Sequence, residues 1–427
     1  MSRNFCTSSS DLAALRQLRF AGFVALALVS VCLAVTLTMD PYGIFNLVEI
    51  KGLNQYRVAA SNAERQYQFL RLAVARPEIA IMGSSRAALG LDPRNPVLAE
   101  GGLAANIAIS GPNIHEVRVM LDHANAVAPL RRVVLALDFL MFNAWRPDRP
   151  ELARLEQRSG VFPAYLLPEF FLSIDALTES WKTMEAGKAA ILLPRRPDGM
   201  MEAVRFPPVT WTSWLDGIGS YVEHSWTEGP DRCFGFVAGD RDALAELAHI
   251  IAMARKNNID LRIILSPVHV TLLEGLQDAG LGLAYDEWVR QVVGLAGTDV
   301  PVWSFDMPSA ITSEAIPRGD GSAKPMAGYM DHTHYVPWVG TKALDKVFGG
   351  PTASDDFGEK LTADSVEGHL SRLRAALAAY AAANGAEAEQ IAAAVRSALG
   401  GVTVAHVTTA ASGPLLKCRR SAPLSRG

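Results

Sequence analysis

The chain has little that would tie it to nucleic acid, to a metal or to a disulfide scaffold. Its 40 Lys and Arg face 44 Asp and Glu, for a net charge of −4. No basic block of the kind that neutralises phosphates stands out, so nucleic acid is not expected as a partner. The 4 cysteines, Cys6, Cys32, Cys233 and Cys418, form no Cys-x-x-Cys pair and no His/Cys cluster at zinc spacing. No metal or other cofactor is expected. No repeat of fixed period is visible. Long apolar runs are scarce as well, and the 49% hydrophobic content is inflated by alanine near the C-terminus. At 427 residues the chain is long for one domain and short for three.

One apolar run is long enough to matter. Phe20 to Met39 carries no charge, and about 20 such residues in a helix cross a bilayer core of roughly 30 Å. The segment lacks the small-x-small exit of a cleaved signal peptide, so an uncleaved anchor is expected. Val31 before Cys32 is larger than lipidation sites favour. Arg3, Arg16 and Arg19 precede the run, opposed by Asp11. By the positive-inside rule residues 1–19 stay in the cytoplasm, and the rest lies outside, in the periplasm of a Gram-negative cell.

Beyond the anchor, residues 40–76 read as a membrane-proximal linker and helix. An α/β domain follows over residues 77–350. Strands are expected at Glu78–Met82, Ala104–Ile109, Arg132–Phe139, Leu261–Leu265 and Val300–Phe305. Helices fall between them at Asn113–Val127, Asp240–Asn257 (capped by Asp240) and Ala284–Ala296. Apolar strands alternating with helices predict a parallel sheet covered on both faces. Residues 140–239 break the alternation. Rich in proline and aromatics, they read as an insertion at the carboxyl edge of the third strand, most of whose rings form its own small core. Residues 351–427 read as an alanine-rich tail, with one or two helices over Leu370–Ala398 packing back on the domain and a frayed end after Gly400.

The chemistry is concentrated at two places. Ile79-Ala80-Ile81-Met82 runs straight into Gly83-Ser84-Ser85-Arg86, which reads as a buried strand ending in a tight turn. Ligands gather at such strand ends in open α/β sheets. Some 250 residues later, roughly, comes Asp331-His332-Thr333-His334. A serine hydroxyl becomes a nucleophile when a histidine takes its proton and a carboxylate holds the other imidazole nitrogen. Asp331 and His334, three apart, share one side of a turn. His332 ranks lower as the base because a direct neighbour of Asp331 points away from it. Two histidines and one aspartate do not complete a metal site. Arg86 is a candidate for pairing with a substrate carboxylate or with a structural acid such as Asp92. His269, after a strand end, is a candidate cleft residue.

Together these segments resemble the SGNH/GDSL hydrolase superfamily, in particular its membrane-anchored bacterial branch with proteins of exopolysaccharide O-acetylation. The resemblance covers roughly residues 40–380. It rests on Asp40-Pro41-Tyr42-Gly43, Gly83-Ser84-Ser85-Arg86, Asn106 through Gly111, Ser266-Pro267-Val268-His269, and Asp331 through Tyr335 with Gly340. It implies a three-layer flavodoxin-like fold, with Ser85 as nucleophile, His334 as base and Asp331 orienting it. It also implies an oxyanion hole from the N–H groups of Gly111 and Ser85. The family's Gly-x-Asn-Asp block is replaced by Leu137-Asp138-Phe139, whose ionised carboxylate would repel an oxyanion. Asn113 and Asn143 are the candidate substitute donors and substrate contacts.

The resemblance implies a periplasmic esterase or O-acyltransferase acting on acetyl or other acyl esters of an envelope or exported polysaccharide. A membrane acyl-donor protein is a candidate partner. The rival is an inactive SGNH-like scaffold that binds polysaccharide or an envelope partner. A lipid or thioester hydrolase is a further alternative.

Overall fold

The computed structural model describes residues 9–61, 63–99, 102–229, 232–318, 325–400 and 405–407. Helix α1 (Ser9–Met39) comes first, followed by α2 (Glu64–Ala75). The sheet strands are β1 (Ile79–Met82), β2 (Ala104–Asn106), β3 (Arg132–Leu137), β4 (Asp260–Leu265), β5 (Val302–Ser304) and β6 (Glu359–Leu361). Helices α3 (Ser85–Gly90) and α4 (Ile114–Val127) follow β1 and β2. The insertion carries α5 (Leu167–Phe171), α6 (Ile174–Glu185) and α7 (Trp211–Tyr221). The remaining helices are α8 (Ala243–Lys256), α9 (Val270–Asp278), α10 (Gly282–Ala296), α11 (Pro337–Phe348), α12 (Val366–Ala383) and α13 (Gly385–Leu399).

The strands lie in the order β2-β1-β3-β4-β5-β6. All neighbours are parallel except β5 and β6, which pair antiparallel. All four residues of β1 are buried, as are the last five of β3. That explains their unbroken apolar runs, because strands covered on both faces cannot alternate. The five parallel strands and the long helices between them fall where the apolar patterning puts them. Asp242, not Asp240, caps α8, its carboxylate accepting from the Leu244 and Ala245 N–H groups.

Three features differ from the expectations. Residues 337–348 form α11, which opens with a proline at its first turn, where the missing N–H costs nothing. The edge strand β6 comes from the segment assigned to the tail. The tail's helical part is two helices, one of the two arrangements expected, but residues 405–407 form a strand parallel to residues 233–235. The fraying expected after Gly400 otherwise lies outside the described residues. Helix α13 packs on α7 and α9, burying Ile391 and Val395. In the insertion, Trp214, Trp226, Phe170 and Phe171 are buried as its own core, whereas Phe162 and Trp181 are exposed.

Helix α1 contains one stretch, Ala13–Met39, long and apolar enough to cross a membrane. Its last two turns are covered by α5 and α6.

Candidate functional site

Strand β1 lies between β2 and β3, so the chain leaves it toward opposite sides in its next two returns to the sheet. Such a switch point opens a crevice at the carboxyl ends of the strands. Gly83 follows β1 there. A Cβ at this position would stand 2.7 Å from the Ala87 Cβ and 2.8 Å from the Ala136 carbonyl oxygen, so only glycine lets the turn pass this close to β3. The next residues divide the work. Ser84 caps α3, its Oγ accepting from the Arg86 N–H at 3.2 Å. Ser85, the first residue of α3, is half-buried and aims its hydroxyl at His334.

The histidine arrives on a tight turn. Tyr329 and Tyr335 form an antiparallel bridge, and the Met330 N–H donates to the His334 carbonyl at 2.9 Å. Asp331 Oδ1 accepts from the backbone N–H groups of Thr333 (2.9 Å) and His334 (2.8 Å), the side-chain-to-backbone bonding that makes aspartate a turn former. The same carboxylate meets His334 Nδ1 at 2.8 Å through Oδ2. His334 Nε2 lies 2.8 Å from Ser85 Oγ. Ser85, His334 and Asp331 thus form one hydrogen-bonded line. Burial works against the charged Asp331, but the neighbouring His334, its hydrogen bond and the Thr333 N–H hold the carboxyl well below the usual carboxylate range.

Helix α3 is locked against the segment that follows. A Cβ on Gly340 would stand 1.9 Å from the Gly90 carbonyl oxygen, and one on Gly90 would strike the Tyr335 ring. This close crossing of α3 and α11 fixes the serine-bearing helix relative to the histidine-bearing turn.

Arg86 takes the structural one of its two expected roles, but the acid it pairs with is Asp138 and not Asp92. Its Nη1 pairs with Asp138 at 2.7 Å, with both side chains almost wholly buried. Its Nε donates to the Thr333 carbonyl (3.0 Å) and hydroxyl (2.8 Å), and its Nη2 to the Tyr221 hydroxyl (3.1 Å). Asp92 pairs instead with Arg196. The remaining Asp138 oxygen accepts from the Ser84 hydroxyl. Asp138, the apparent obstacle to an oxyanion, is therefore spent on holding Arg86 and Ser84. Burial opposes the Arg86 charge, yet Asp138 outweighs it and raises the guanidinium pKa further.

The candidate substitute donors are also committed elsewhere. Asn143 is buried, donating to the Trp226 and Cys233 carbonyls and accepting from the Trp145 and Gly235 N–H groups. Asn113 caps α4 in a capping box with Glu116, and its amide donates to Asp148 at 2.7 Å. His269 is fully buried, with Nδ1 at 2.8 Å from the Thr271 hydroxyl and Nε2 at 2.9 Å from the Glu314 carbonyl. Burial lowers its pKa to about 4 against the pull of that carbonyl. These three side chains hold loops in place and are not free for a substrate. His332 packs edge-on to Trp214 and Tyr221. Burial brings its pKa to about 4 despite Asp331 beside it.

Backbone donors remain. The Ile109 N–H bonds the Gly83 carbonyl at 3.1 Å, which sets the loop after β2 beside the Gly83–Ser85 turn. That loop is pinned from behind, since the Ser110 N–H donates to Glu64 at 2.6 Å and Arg65 donates to the Ser110 carbonyl at 3.0 Å. Among the described residues neither the Gly111 nor the Ser85 N–H has a hydrogen-bond partner. A groove of about 780 Å³ flanks the histidine-bearing segment, with Asp92, Arg196, Met330 and Val336 in its lining. Among the described residues no group of three or more His, Cys, Asp or Glu is placed to hold a metal ion.

Sequence reasoning did not find the supporting roles of Thr333 and Tyr221, and it read Asp138 as an obstacle to the oxyanion, not as the partner of Arg86 and Ser84. Arg86 and Tyr221 are 135 positions apart, and no local pattern announces such a contact. No protein-family model matches the chain, and no curated protein matches it.

Proposed function

We propose that this protein is a membrane-anchored serine acyl-ester hydrolase or acyltransferase of SGNH type, with Ser85 as nucleophile. The observation that carries the reading is the unbroken line from Ser85 Oγ through His334 to Asp331. In that order His334 takes the serine proton as Ser85 attacks the acyl carbon, and Asp331 holds the imidazole tautomer and stabilises its charge. His334 then returns the proton to the leaving alcohol. Water or an acceptor hydroxyl releases the acyl group from Ser85 by the reverse path. The Ser85 and Gly111 N–H groups are the proposed oxyanion donors. A third, side-chain donor is absent from the proposal, because Asp138, Asn113 and Asn143 are engaged elsewhere.

The succession of the parallel strands, 2-1-3-4-5, supports the flavodoxin-like part of the reading, since that order is shared by such sheets. The acyl ester of an envelope or exported polysaccharide follows from the motif resemblance. So does a membrane acyl donor, in the case of transfer. Arg16 and Arg19 before the apolar segment support a cytoplasmic N-terminus in the inner membrane and a periplasmic domain.

The test is direct. Ser85→Ala and His334→Ala each lower kcat/KM for an aryl acetate by on the order of a thousandfold or more, and the double variant is no worse, because residues acting as one unit are non-additive. A fluorophosphonate labels wild type at Ser85 alone. If purified wild type neither turns over aryl acetates nor takes the probe while binding an acidic glycan, the enzyme reading falls and the scaffold stands.

A further inference from the structure

Helix α6 has three faces. Its buried positions are Ala176, Glu179, Ser180 and Thr183, and it packs on α1 and α5. Asp175, Thr178, Lys182 and Glu185 form a polar, exposed side. Between them runs a third strip, Ile174, Leu177, Trp181 and Met184, at the spacing of one helix face. All four are exposed, Ile174 by 82% and Trp181 by 60%. Water is a poor neighbour for such a strip, and within the described chain nothing covers it.

The position of this strip along α1 says what does. The apolar segment Phe20–Met39 rises about 30 Å, the thickness of a bilayer core. Phe20–Val31, the part left free of other elements, rises only about 18 Å and is too short to span it alone. The last two turns must therefore also lie at membrane depth, and α5 and α6 hold those turns. Thr36 donates to the Phe171 carbonyl at 2.8 Å, and Cys32 Sγ lies 3.7 Å from the same oxygen. Cys32 is about 10 Å below Met39 along the helix. Phe171 ends α5 three residues before Ile174, so the start of α6 is brought down beside the anchor. Phe45, just past the anchor, stacks on Phe171 at 5.3 Å, and Leu47 and Ile50 beyond it are exposed.

We propose that the α5–α6 hairpin is a second membrane contact, with the strip Ile174, Leu177, Trp181 and Met184 seated in the acyl chains and interface of the outer leaflet. The occupant is lipid, because the hairpin that carries the strip is held against the last two turns of α1, which lie at membrane depth. The polar side of α6 faces the headgroups and water, as in interfacial amphipathic helices, and Trp181 suits the interface. This inference rests on the reading of α1 as a membrane anchor. It makes the insertion a device that fixes the height and rotation of the α/β domain on the bilayer, rather than leaving it on a swivelling tether.

Full-length protein, wild type and Trp181→Phe, is placed in phosphatidylcholine nanodiscs with plain or dibrominated acyl chains, and tryptophan quenching is measured. Bromine quenches wild type, and Trp181→Phe loses most of that quenching, because the other tryptophans lie outside α1, α5 and α6. Leu177→Glu, an exposed substitution, lowers the quenching while leaving the melting temperature unchanged. Equal quenching of wild type and Trp181→Phe, or none in either, with protein retained in the discs, overturns the proposal while leaving the anchor standing. A strip reserved for a partner protein gives that result. Protein that fails to enter the discs overturns the anchor, and the proposal with it.

Discussion

The Arg86–Asp138 pair offers the sharpest test of how the site is held. Replacing Asp138 by Ala leaves a guanidinium with 5% of its side chain exposed and no counter-charge. Breaking a buried pair from one side costs about 3–5 kcal/mol, because the remaining charge is uncompensated. The Ser84 hydroxyl loses its acceptor as well, for roughly another 1 kcal/mol. Removing both charges in Arg86→Met/Asp138→Leu behaves differently, since buried pairs replaced by apolar groups are often neutral in stability. The double variant should return to within about 1–2 kcal/mol of wild type. Activity should not return with it. Arg86 alone ties Thr333 through both its carbonyl and its hydroxyl, and a displacement of about 1 Å at His334 costs on the order of a hundredfold. Urea unfolding in detergent, followed by near-ultraviolet circular dichroism, reads the stability, and aryl acetate kcat/KM reads the positioning. Asp138→Ala unfolding within about 1 kcal/mol of wild type would refute the electrostatic argument. A double variant with full activity would refute the positioning role.

Two further outcomes concern pH. Burial, then Asp278 and Glu387, raise the Glu274 pKa to about 7, so the folded state favours its protonated form. That stability is full below the ordinary value of 4.5 and is lost as pH rises through about 7. Glu274→Gln should therefore stabilise at pH ~8 by about 1–2 kcal/mol, allowing for partial solvation, and bring little at pH ~4; an equal effect at both pH values in urea melts would contradict this. His369 is the opposite type of group: burial opposes its charge, but Asp306 (3.1 Å) and Glu359 (3.0 Å) raise its pKa to about 9. Its contribution is full below 6.5 and lost as pH climbs through about 9, so His369→Gln should cost about 2–3 kcal/mol at pH ~6 and clearly less at pH ~10. A cost that does not change between those pH values would show that His369 packs without being charged.

The parts of the fold legible in the sequence are those whose cause is local. Ile79–Met82 and Arg132–Leu137 announce themselves because doubly covered strands need unbroken apolar runs. Gly83 and the two serines mark the turn because only glycine passes Ala136 at that distance. What stayed hidden depends on distant partners. The short helix α3 has no periodicity to read. The antiparallel edge β6 lies beyond the residues that complete the parallel sheet. Nothing in the composition of residues 140–239 says that α5 and α6 clasp α1. Arg86 pairs with Asp138, across the switch point, instead of with Asp92, six residues along its own segment, because α3 turns its side chain inward toward β3.

The segment Asp331-His332-Thr333-His334 shows why so short a motif is readable in part. Asp331 does two things at once. It folds the turn by accepting two backbone N–H groups, and it orients His334 through Nδ1. That double use requires a spacing of three and is visible in the sequence. Thr333 and His332 face elsewhere, Thr333 to Arg86 and His332 to the rings of Trp214 and Tyr221. Their partners come from α3 and α7, so nothing nearby betrays them. The four side chains nevertheless act on one distance, that between His334 Nε2 and Ser85 Oγ. Asp331 sets the imidazole's rotation, Thr333 sets the height of the turn above α3, and His332 wedges the turn against the insertion. A change at any of the four is therefore felt at Ser85, and by different routes. Loss of Asp331 frees the ring, loss of the Thr333 hydroxyl removes one of two bonds to Arg86 Nε, and loss of the His332 ring opens a gap against α7.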